Sequence, residues 1–367
     1  MGAAAVETSP RIPAKKSDFT AEWLTEVFAS KYPGTTVTSL QVDEVDQGTS
    51  TRLRLTAEYA DPSPDLPTQL FVKTNFDNVF GELFTAAGIY HAEVKFFNDV
   101  LPAVDIPTPR CLHAELSDED GSFVLVLEDV VAADWGKAEE PIDWVRAEAV
   151  LKAMARYHAH FWNSPKLDDL EWVWTPNEGP QADAIKMFSD YASEKLAAGT
   201  VFDHPVPEAL RDSERVKRAV EALLRYDAEV PRTLLHSDPH LKNLGFHLSG
   251  EPIFVDWQVL RKGCWALDVS YFLSTSLSTD DRRAHERDLV TGYLKELAGY
   301  GIDVPADEAW LQYRAQPLYG LLVWLATPVE MQPEAAVRAF TLRFLAAAED
   351  LDTMGAIDEV SGKMTTH

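Results

Sequence analysis

The sequence predicts an α+β protein with a small β-rich lobe followed by a larger α-helical lobe. The chain has 367 residues, 46% of them hydrophobic, and so exceeds the roughly 250–300 residues at which a single core stops growing. Segments with the period of strands lie before residue 130, whereas long segments of helical period follow it. We therefore divide the chain into a flexible tail (1–17), an N-terminal lobe (18–130) and a C-terminal lobe (131–367).

The N-terminal lobe contains the strand patterns. Apolar residues alternate with polar ones from Leu53 to Tyr59, as in a half-buried strand, and a second short strand covers Leu70 to Lys73. The apolar run from Phe123 to Leu127 predicts a buried strand that leads into Glu128. Helices are predicted from Phe19 to Phe28 and from Leu83 to Val100.

The C-terminal lobe is mostly helical. Helices are predicted over 147–162, 207–226 and 279–298, and from Glu308 to the C-terminal region. Between them lies a hairpin whose turn is centred near Gly250. This turn returns Asp256 close to Gly245 and Asn243, so that Asp238, Asn243 and Asp256 converge at one end of the hairpin. Two carboxylates and an amide oxygen suit a hard cation such as Mg²⁺.

Composition excludes several classes of function. Lys and Arg number 33 and Asp and Glu 59, which gives a formal charge of −26, so nucleic acid and anionic membranes are not expected partners. The two cysteines are far apart and predict neither a disulfide framework nor a zinc site. The N-terminus lacks the apolar segment of a signal peptide, and no apolar run reaches the ~20 residues of a membrane span. A cytoplasmic protein is the expectation.

Four segments carry a resemblance to a known family. The resemblance spans roughly Val45 to Leu277 and is carried by the segments VLVLEDV, LLHSDPHLKN, IFVDWQ and ALDVSYFLSTSL. These segments resemble the aminoglycoside-phosphotransferase-like superfamily and, within it, the ecdysteroid-kinase-like (CHK) family. The resemblance implies a two-lobed protein-kinase-like fold with nucleotide bound by the N-terminal lobe. It also implies an ATP- and Mg²⁺-dependent kinase that phosphorylates a hydroxyl group of a small molecule.

The resemblance assigns roles in the C-terminal lobe. Asp238 would be the catalytic base that accepts the substrate hydroxyl proton, and Asn243 and Asp256 would hold Mg²⁺. His236 would buttress this loop and Asp268 would brace it.

In the N-terminal lobe, Lys73 would pair with the α- and β-phosphates and be positioned by Glu93. The backbone from Glu128 to Val130 would bind the adenine edge. The phosphate-covering loop would contain Gly48, Thr49 and Ser50, with one glycine instead of the three of protein kinases. This departure, together with the lack of an evident A-P-E signature after Asp256, argues against a protein substrate.

Two alternatives remain open at the level of sequence. The first is a catalytically silent kinase-like protein that binds nucleotide or another ligand. The second is a metal-dependent hydrolase that uses His236, Asp238 and His240, although Pro239 fixes the backbone between them. A hydroxylated steroid or similar apolar alcohol, an aminoglycoside and a choline-type alcohol are all possible acceptors. The sequence does not decide between ATP and GTP or give the oligomeric state.

Overall fold

The structure is a computed structural model that describes residues 11–61, 65–79 and 81–364. The chain divides into two compact units. The first consists of the chain up to Pro102 together with Pro109–Ala132, and the second consists of Ala103–Thr108 together with the chain from Ala133 onward.

The first unit is built around a β-sheet. Its helices and strands are α1 (Ala21–Ala29), β1 (Val37–Gln47), β2 (Thr51–Tyr59), β3 (Gln69–Thr74), α2 (Gly81–Ala86), α3 (Ile89–Lys95), β4 (Cys111–Leu116) and β5 (Phe123–Glu128). The strands pair antiparallel in the order β1-β2-β3-β5-β4. Leu53, Leu55 and Ala57 are buried and alternate with more exposed residues along β2, as the sequence pattern predicts.

The helix predicted from Leu83 to Val100 is interrupted. Helix α2 ends at Ala86, and Gly88 follows with a φ of 72°, in the left-handed region that glycine adopts without steric cost. Helix α3 then begins at Ile89, and residues 96–100 continue it as a π-helical turn. The periodic apolar stripe spans both helices, which is why the sequence pattern alone reads as one helix.

The predicted tail is described only in part. Residues 1–10 lie outside the described residues, whereas the main-chain oxygen of Arg11 accepts the indole N–H of Trp23 at 3.0 Å. Ile12 packs against the core of the first unit. Helix α1 begins at Ala21, two residues after the predicted start, because Thr20 accepts the Trp23 N–H as its cap. Part of the predicted tail therefore packs on the first unit.

The second unit is mainly helical. Its elements are β6 (Asp134–Trp135), α4 (Trp144–Phe161), α5 (Pro165–Asp168), α6 (Gly179–Ala197), β7 (Thr200–Val201), β8 (His204–Pro205), α7 (Ser213–Glu229), β9 (Thr233–Leu235), β10 (Leu244–Phe246), β11 (Pro252–Phe254), β12 (Arg261–Gly263), α8 (Ala266–Ser276), α9 (Thr279–Gly299), α10 (Ala306–Ala315), α11 (Pro317–Ala326), α12 (Glu334–Asp350) and α13 (Thr353–Met364). Strand β10 pairs with β11 and β6, and β12 pairs with β9. Helix α8 is buried along its whole length and lies at the centre of this unit. The predicted α+β class is confirmed.

Two helix boundaries differ from the sequence predictions. The helix predicted from residue 207 begins at Ser213, because Asp212 caps it by accepting the Arg215 N–H and a short 3₁₀ turn precedes it. The helical region predicted from Glu308 is divided into α10, α11, α12 and α13. Within the described part of the chain, no helix is both long and apolar enough to cross a membrane.

Candidate active site

The loop between β9 and β10 carries His236, Asp238 and Asn243. His236 is fully buried; its Nε2 lies 2.9 Å from the main-chain oxygen of Val255, and its Nδ1 accepts the Asp238 N–H at 3.3 Å. Together these contacts require a neutral imidazole protonated on Nε2. Burial holds the pKa of His236 below its ordinary value despite the carboxylates nearby, which favours this neutral form. His236 therefore connects the loop to the segment that follows β11.

Asp268 holds the same loop from helix α8. One of its oxygens accepts the N–H of His236 and the other accepts the N–H of Ser237, both at 2.8 Å. Its Oδ2 also accepts the hydroxyl of Tyr157 at 3.0 Å and lies 3.3 Å from Nε2 of His158. Burial by itself raises the pKa of Asp268, but the hydrogen bonds from the His158 side chain and the His236 amide outweigh burial and keep that pKa below its usual value. An ionised carboxylate thus binds two successive amides of the loop.

Asp238 and Asn243 contact each other directly. The Asn243 Nδ2 donates to the main-chain oxygen of Asp238 at 3.0 Å and to its Oδ2 at 3.3 Å. His240 contacts the same carboxylate oxygen, with its Nε2 3.3 Å from Oδ2. The imidazole of His240 is stacked on Phe340, with ring centroids 5.4 Å apart. The carboxylate of Asp238 is therefore held within a network while its side chain stays 26% exposed.

Asp256 follows β11 and lies next to this loop. The Val255 N–H donates to the main-chain oxygen of Asn243 at 3.0 Å, so that Asp256 begins directly beyond the end of the hairpin. The hairpin is expected to return Asp256 close to Gly245 and Asn243; Gly245 pairs with Ile253, and Asp256 follows directly on the residue that contacts Asn243. Asp256 has a φ of 70°, in the left-handed region, and such backbone strain is concentrated at functional sites.

The residues present fit a divalent cation. Because the Asn243 Nδ2 is directed at Asp238, its Oδ1 is the amide atom left for a metal ion. The Asp256 carboxylate would supply further oxygen ligands to such an ion. Mg²⁺ prefers oxygen ligands, and phosphates and waters usually complete its shell. Within residues 11–61, 65–79 and 81–364, no three His, Cys, Asp or Glu side chains are grouped to hold a metal ion.

The first unit carries a buried ion pair. Lys73 Nζ, on β3, lies 2.7 Å from Oε1 of Glu93, on α3, and their side chains are 8% and 2% exposed. Removing both charges from water is costly, so such a pair is weak evidence for stability. It does fix the position of the Lys73 ammonium group.

The predicted phosphate-covering loop connects β1 to β2 in the same unit. Two of its main-chain oxygens are bound from outside the loop: Asn78 Nδ2 donates to Gly48 at 3.1 Å, and the Tyr90 hydroxyl donates to Thr49 at 2.6 Å. Within the loop, the Gly48 N–H donates to the main-chain oxygen of Ser50 at 3.1 Å, and the Ser50 side chain is buried. The loop is thus held by specific contacts.

The predicted hinge begins at Glu128, the last residue of β5. Glu128 pairs with Leu70 of β3, and its carboxylate accepts the Arg110 Nε at 3.2 Å. The carboxylate of Asp129 is buried and accepts the Arg54 Nε at 2.7 Å. Val130 then leaves the sheet in a segment without regular structure. The hinge segment is therefore fixed to the sheet by side chains at two consecutive residues.

The contacts of His236 disfavour the metal-dependent hydrolase. Its Nε2 is engaged by the Val255 main-chain oxygen and its Nδ1 by the Asp238 amide, so neither ring nitrogen is available to a metal without breaking the loop. His240 alone would remain beside Asp238, and an imidazole-rich site needs more than one imidazole.

Sequence reasoning missed two tyrosines of the site. Tyr157 donates to Asp268, and Tyr271 donates to Asp238 Oδ1 at 2.6 Å. Tyr271 had a usable signal: it lies three residues after Asp268, and residues at this spacing share a helix face. His158 is buried, and its Nδ1 lies 2.7 Å from the hydroxyl of Tyr293.

Solved structures define the class of the fold. A candidate aminoglycoside phosphotransferase from Ralstonia eutropha JMP134 is similar with a TM-score of 0.52 and 13% identity, over 85% of this chain and 92% of that one. Spectinomycin phosphotransferase, solved with ADP and spectinomycin, is similar with a TM-score of 0.51 and 11% identity, over 91% and 99% of the two chains. An ethanolamine kinase from Plasmodium vivax has a TM-score of 0.49 and 11% identity, over 86% and 83%. The chain has the protein-kinase-like fold of small-molecule phosphotransferases.

The family follows from the sequence itself. The model of the ecdysteroid kinase-like family matches residues 44–163 and 178–301, which is more than half of the chain. The protein therefore belongs to the ecdysteroid kinase-like family, and the resemblance carried by its motifs is confirmed. A comparison with curated proteins finds no match.

Proposed function

We propose that this protein is an ATP- and Mg²⁺-dependent kinase that phosphorylates a hydroxyl group of a small molecule. The observation that carries the proposal is the loop from His236 to Asn243, in which a partly exposed carboxylate is held by its neighbours while two backbone amides are bound by Asp268. The similar spectinomycin phosphotransferase, solved with ADP, supports the use of a nucleotide.

In the proposed reaction, Asp238 accepts the proton of the acceptor hydroxyl while the oxygen of that hydroxyl forms a bond to the γ-phosphorus of ATP. The bond from that phosphorus to the bridging oxygen breaks, and ADP leaves. Asn243 and Asp256 would hold Mg²⁺, which when bound neutralises charge on the nucleotide phosphates.

Lys73 would bind the α- and β-phosphates, and its buried pair with Glu93 supports this role by fixing the ammonium group. The loop from Gly48 to Ser50 would cover the phosphates, and the segment from Glu128 to Val130 would bind the adenine edge. Most of the rate would come from positioning and charge stabilisation, since phosphoryl transfer requires little covalent chemistry from the protein.

The acceptor is a small hydroxylated molecule in this proposal. The family name favours an ecdysteroid-like alcohol, whereas the similar solved structures include a spectinomycin phosphotransferase and a candidate aminoglycoside phosphotransferase. A panel of steroid alcohols, aminoglycosides, choline and ethanolamine therefore covers the relevant chemistry.

The test is phosphoryl transfer by Asp238→Asn. The purified protein is incubated with ATP or GTP, Mg²⁺ and each alcohol, and the phosphorylated product is detected by mass spectrometry. We expect the variant to lose about 10²–10⁴-fold in kcat, because an amide cannot accept the proton. The matched control is Asp280→Asn, the same change at a side chain that is 97% exposed at the start of α9.

Equal turnover by wild-type protein and Asp238→Asn would contradict the proposed role of Asp238. Nucleotide binding without transfer to any alcohol in a broad panel would instead support the catalytically silent alternative.

A further inference from the structure

The carboxylate of Asp238 has a buried hydrogen-bond donor that the proposed function does not use. The hydroxyl of Tyr271, on helix α8, donates to Asp238 Oδ1 at 2.6 Å, and the tyrosine is only 2% exposed. We propose that Tyr271 is a positioning residue for phosphoryl transfer, whose hydroxyl fixes the Asp238 carboxylate so that Oδ2 is the oxygen presented to the acceptor. This inference rests on the proposed function and adds to it a residue that orients the base.

The two oxygens of the carboxylate are held unequally. Oδ1 receives the short hydrogen bond from Tyr271, whereas Oδ2 has two longer contacts of 3.3 Å, to Asn243 Nδ2 and to His240 Nε2. Each carboxylate oxygen has about two lone-pair sites, and the long contacts at Oδ2 occupy its sites more weakly than the short hydrogen bond occupies Oδ1, so Oδ2 is the oxygen better able to accept a proton from the acceptor. The contact at Oδ1 selects which oxygen reacts.

Tyr271 is itself held by close packing. The ring of Phe344, on α12, meets it edge to face with centroids 5.1 Å apart. Phe344 occupies this position because residue 320, on α11, is glycine: a Cβ there would lie 2.0 Å from the Phe344 ring. Glycine weakens a helix interior by roughly 1 kcal/mol relative to alanine. Gly320 therefore lowers the stability of α11 but leaves the space that the Phe344 ring occupies.

The hydroxyl of Tyr271 remains a donor at any working pH. Burial first, and then the negative charge of Asp238, raise its pKa well above the ordinary value of tyrosine. The hydrogen bond is therefore present whenever the carboxylate is ionised and able to act as base.

The first experiment replaces the hydroxyl alone. In Tyr271→Phe we expect kcat to fall by about 10–100-fold because the carboxylate loses its orientation, while KM for the nucleotide stays within about twofold. The matched control is Tyr313→Phe, which removes another buried hydrogen bond from a tyrosine to a carboxylate, 3.0 Å long, made to Glu286 away from the loop. A kcat for Tyr271→Phe equal to that of Tyr313→Phe would overturn the positioning role.

The second experiment does not depend on turnover. Protein labelled with ¹³C at tyrosine Cζ is compared with labelled Asp238→Asn, with the Tyr271 and Tyr313 signals assigned from the two Phe variants. We expect the Tyr271 signal to move and the Tyr313 signal to stay, because Tyr271 donates to Asp238 whereas Tyr313 donates to Glu286. An unmoved Tyr271 signal would overturn the inference even in an active enzyme.

The two experiments separate this inference from the proposed function. Absence of transfer by the wild-type protein would overturn the proposed function and the positioning role together. Transfer by the wild-type protein with full activity in Tyr271→Phe would overturn only the positioning role.

Discussion

Ser237 shows at the scale of one residue how the candidate catalytic loop is held. Its φ is 69°, in the left-handed region, where a Cβ costs roughly 1–2 kcal/mol. Its Oγ is buried without a hydrogen-bond partner, which is a further cost. Its backbone N–H nevertheless donates to Asp268 at 2.8 Å. The loop conformation is therefore stabilised by the Asp268 carboxylate and opposed by the side chain of Ser237.

Replacing Ser237 by glycine should stabilise the protein. Glycine adopts this φ without steric cost, and the change removes the buried hydroxyl, so we expect the free energy of unfolding to rise by about 1 kcal/mol after the entropy of glycine in the unfolded chain is subtracted. Ser237→Ala separates the two contributions, because it removes the hydroxyl but keeps the Cβ. Urea unfolding should rank the glycine variant above the alanine variant, and the reverse order would contradict the strain argument.

Among the secondary-structure elements, β6 supports the candidate catalytic loop through Gly136, the residue after the strand, whose backbone lies close to the backbone of Leu241. Gly136 donates its N–H to the main-chain oxygen of Leu244 at 2.9 Å. A Cβ on residue 136 would lie 2.2 Å from the main-chain oxygen of Leu241, in the turn that leads to Asn243. Because the opposing atom belongs to the backbone, the loop itself would have to move.

We therefore expect Gly136→Ala to reduce both stability and turnover. Overpacking of this kind typically costs about 1–3 kcal/mol, and a shift of the turn would displace Asn243. The control is Gly292→Ala within α9, where nothing lies within 4 Å of an added Cβ and alanine should stabilise the helix by up to about 1 kcal/mol. Thermal unfolding and kcat measured on both variants test this, and a Gly136→Ala protein with wild-type values would contradict it.

The elements that could be predicted are those with local signals. The alternation along β2 and the apolar run of β5 are set by neighbouring residues, and both strands were predicted within a few residues of their ends. The break at Gly88 was not predicted, since an isolated glycine is compatible with a continuous helical stripe until its backbone conformation is known. The start of α7 was misplaced because three residues before Asp212 form a separate 3₁₀ turn.

At the scale of the whole molecule, some contacts of the candidate site follow from local sequence spacing and others do not. Asp238 and Asn243 were found from their spacing in one loop, and the hairpin correctly brought Asp256 next to Asn243. The hydrogen bond from Tyr271 to Asp238 joins residues far apart in the chain, so spacing within the loop cannot reveal it. Side-chain networks of this kind depend on how helices pack, which a single sequence does not specify.

The charge of the whole molecule leads to a prediction about nucleotide binding. A protein with a formal charge of −26 repels a free nucleotide polyanion, so a bound divalent cation should matter most at low ionic strength, where screening is weak. A ligand present at a hundred times its Kd adds about 2.7 kcal/mol to the stability of the folded state.

We expect ATP with Mg²⁺ to raise the thermal midpoint of the wild-type protein more than ATP with EDTA, and this difference to shrink as salt is added. Asp256→Ala should abolish the difference because it removes a proposed metal ligand, whereas Asp238→Asn should keep it because that carboxylate is assigned to the acceptor proton. Parallel scans with GTP test the choice of nucleotide. A midpoint that responds equally to ATP with and without Mg²⁺ in the wild-type protein would contradict the proposed metal site at Asn243 and Asp256.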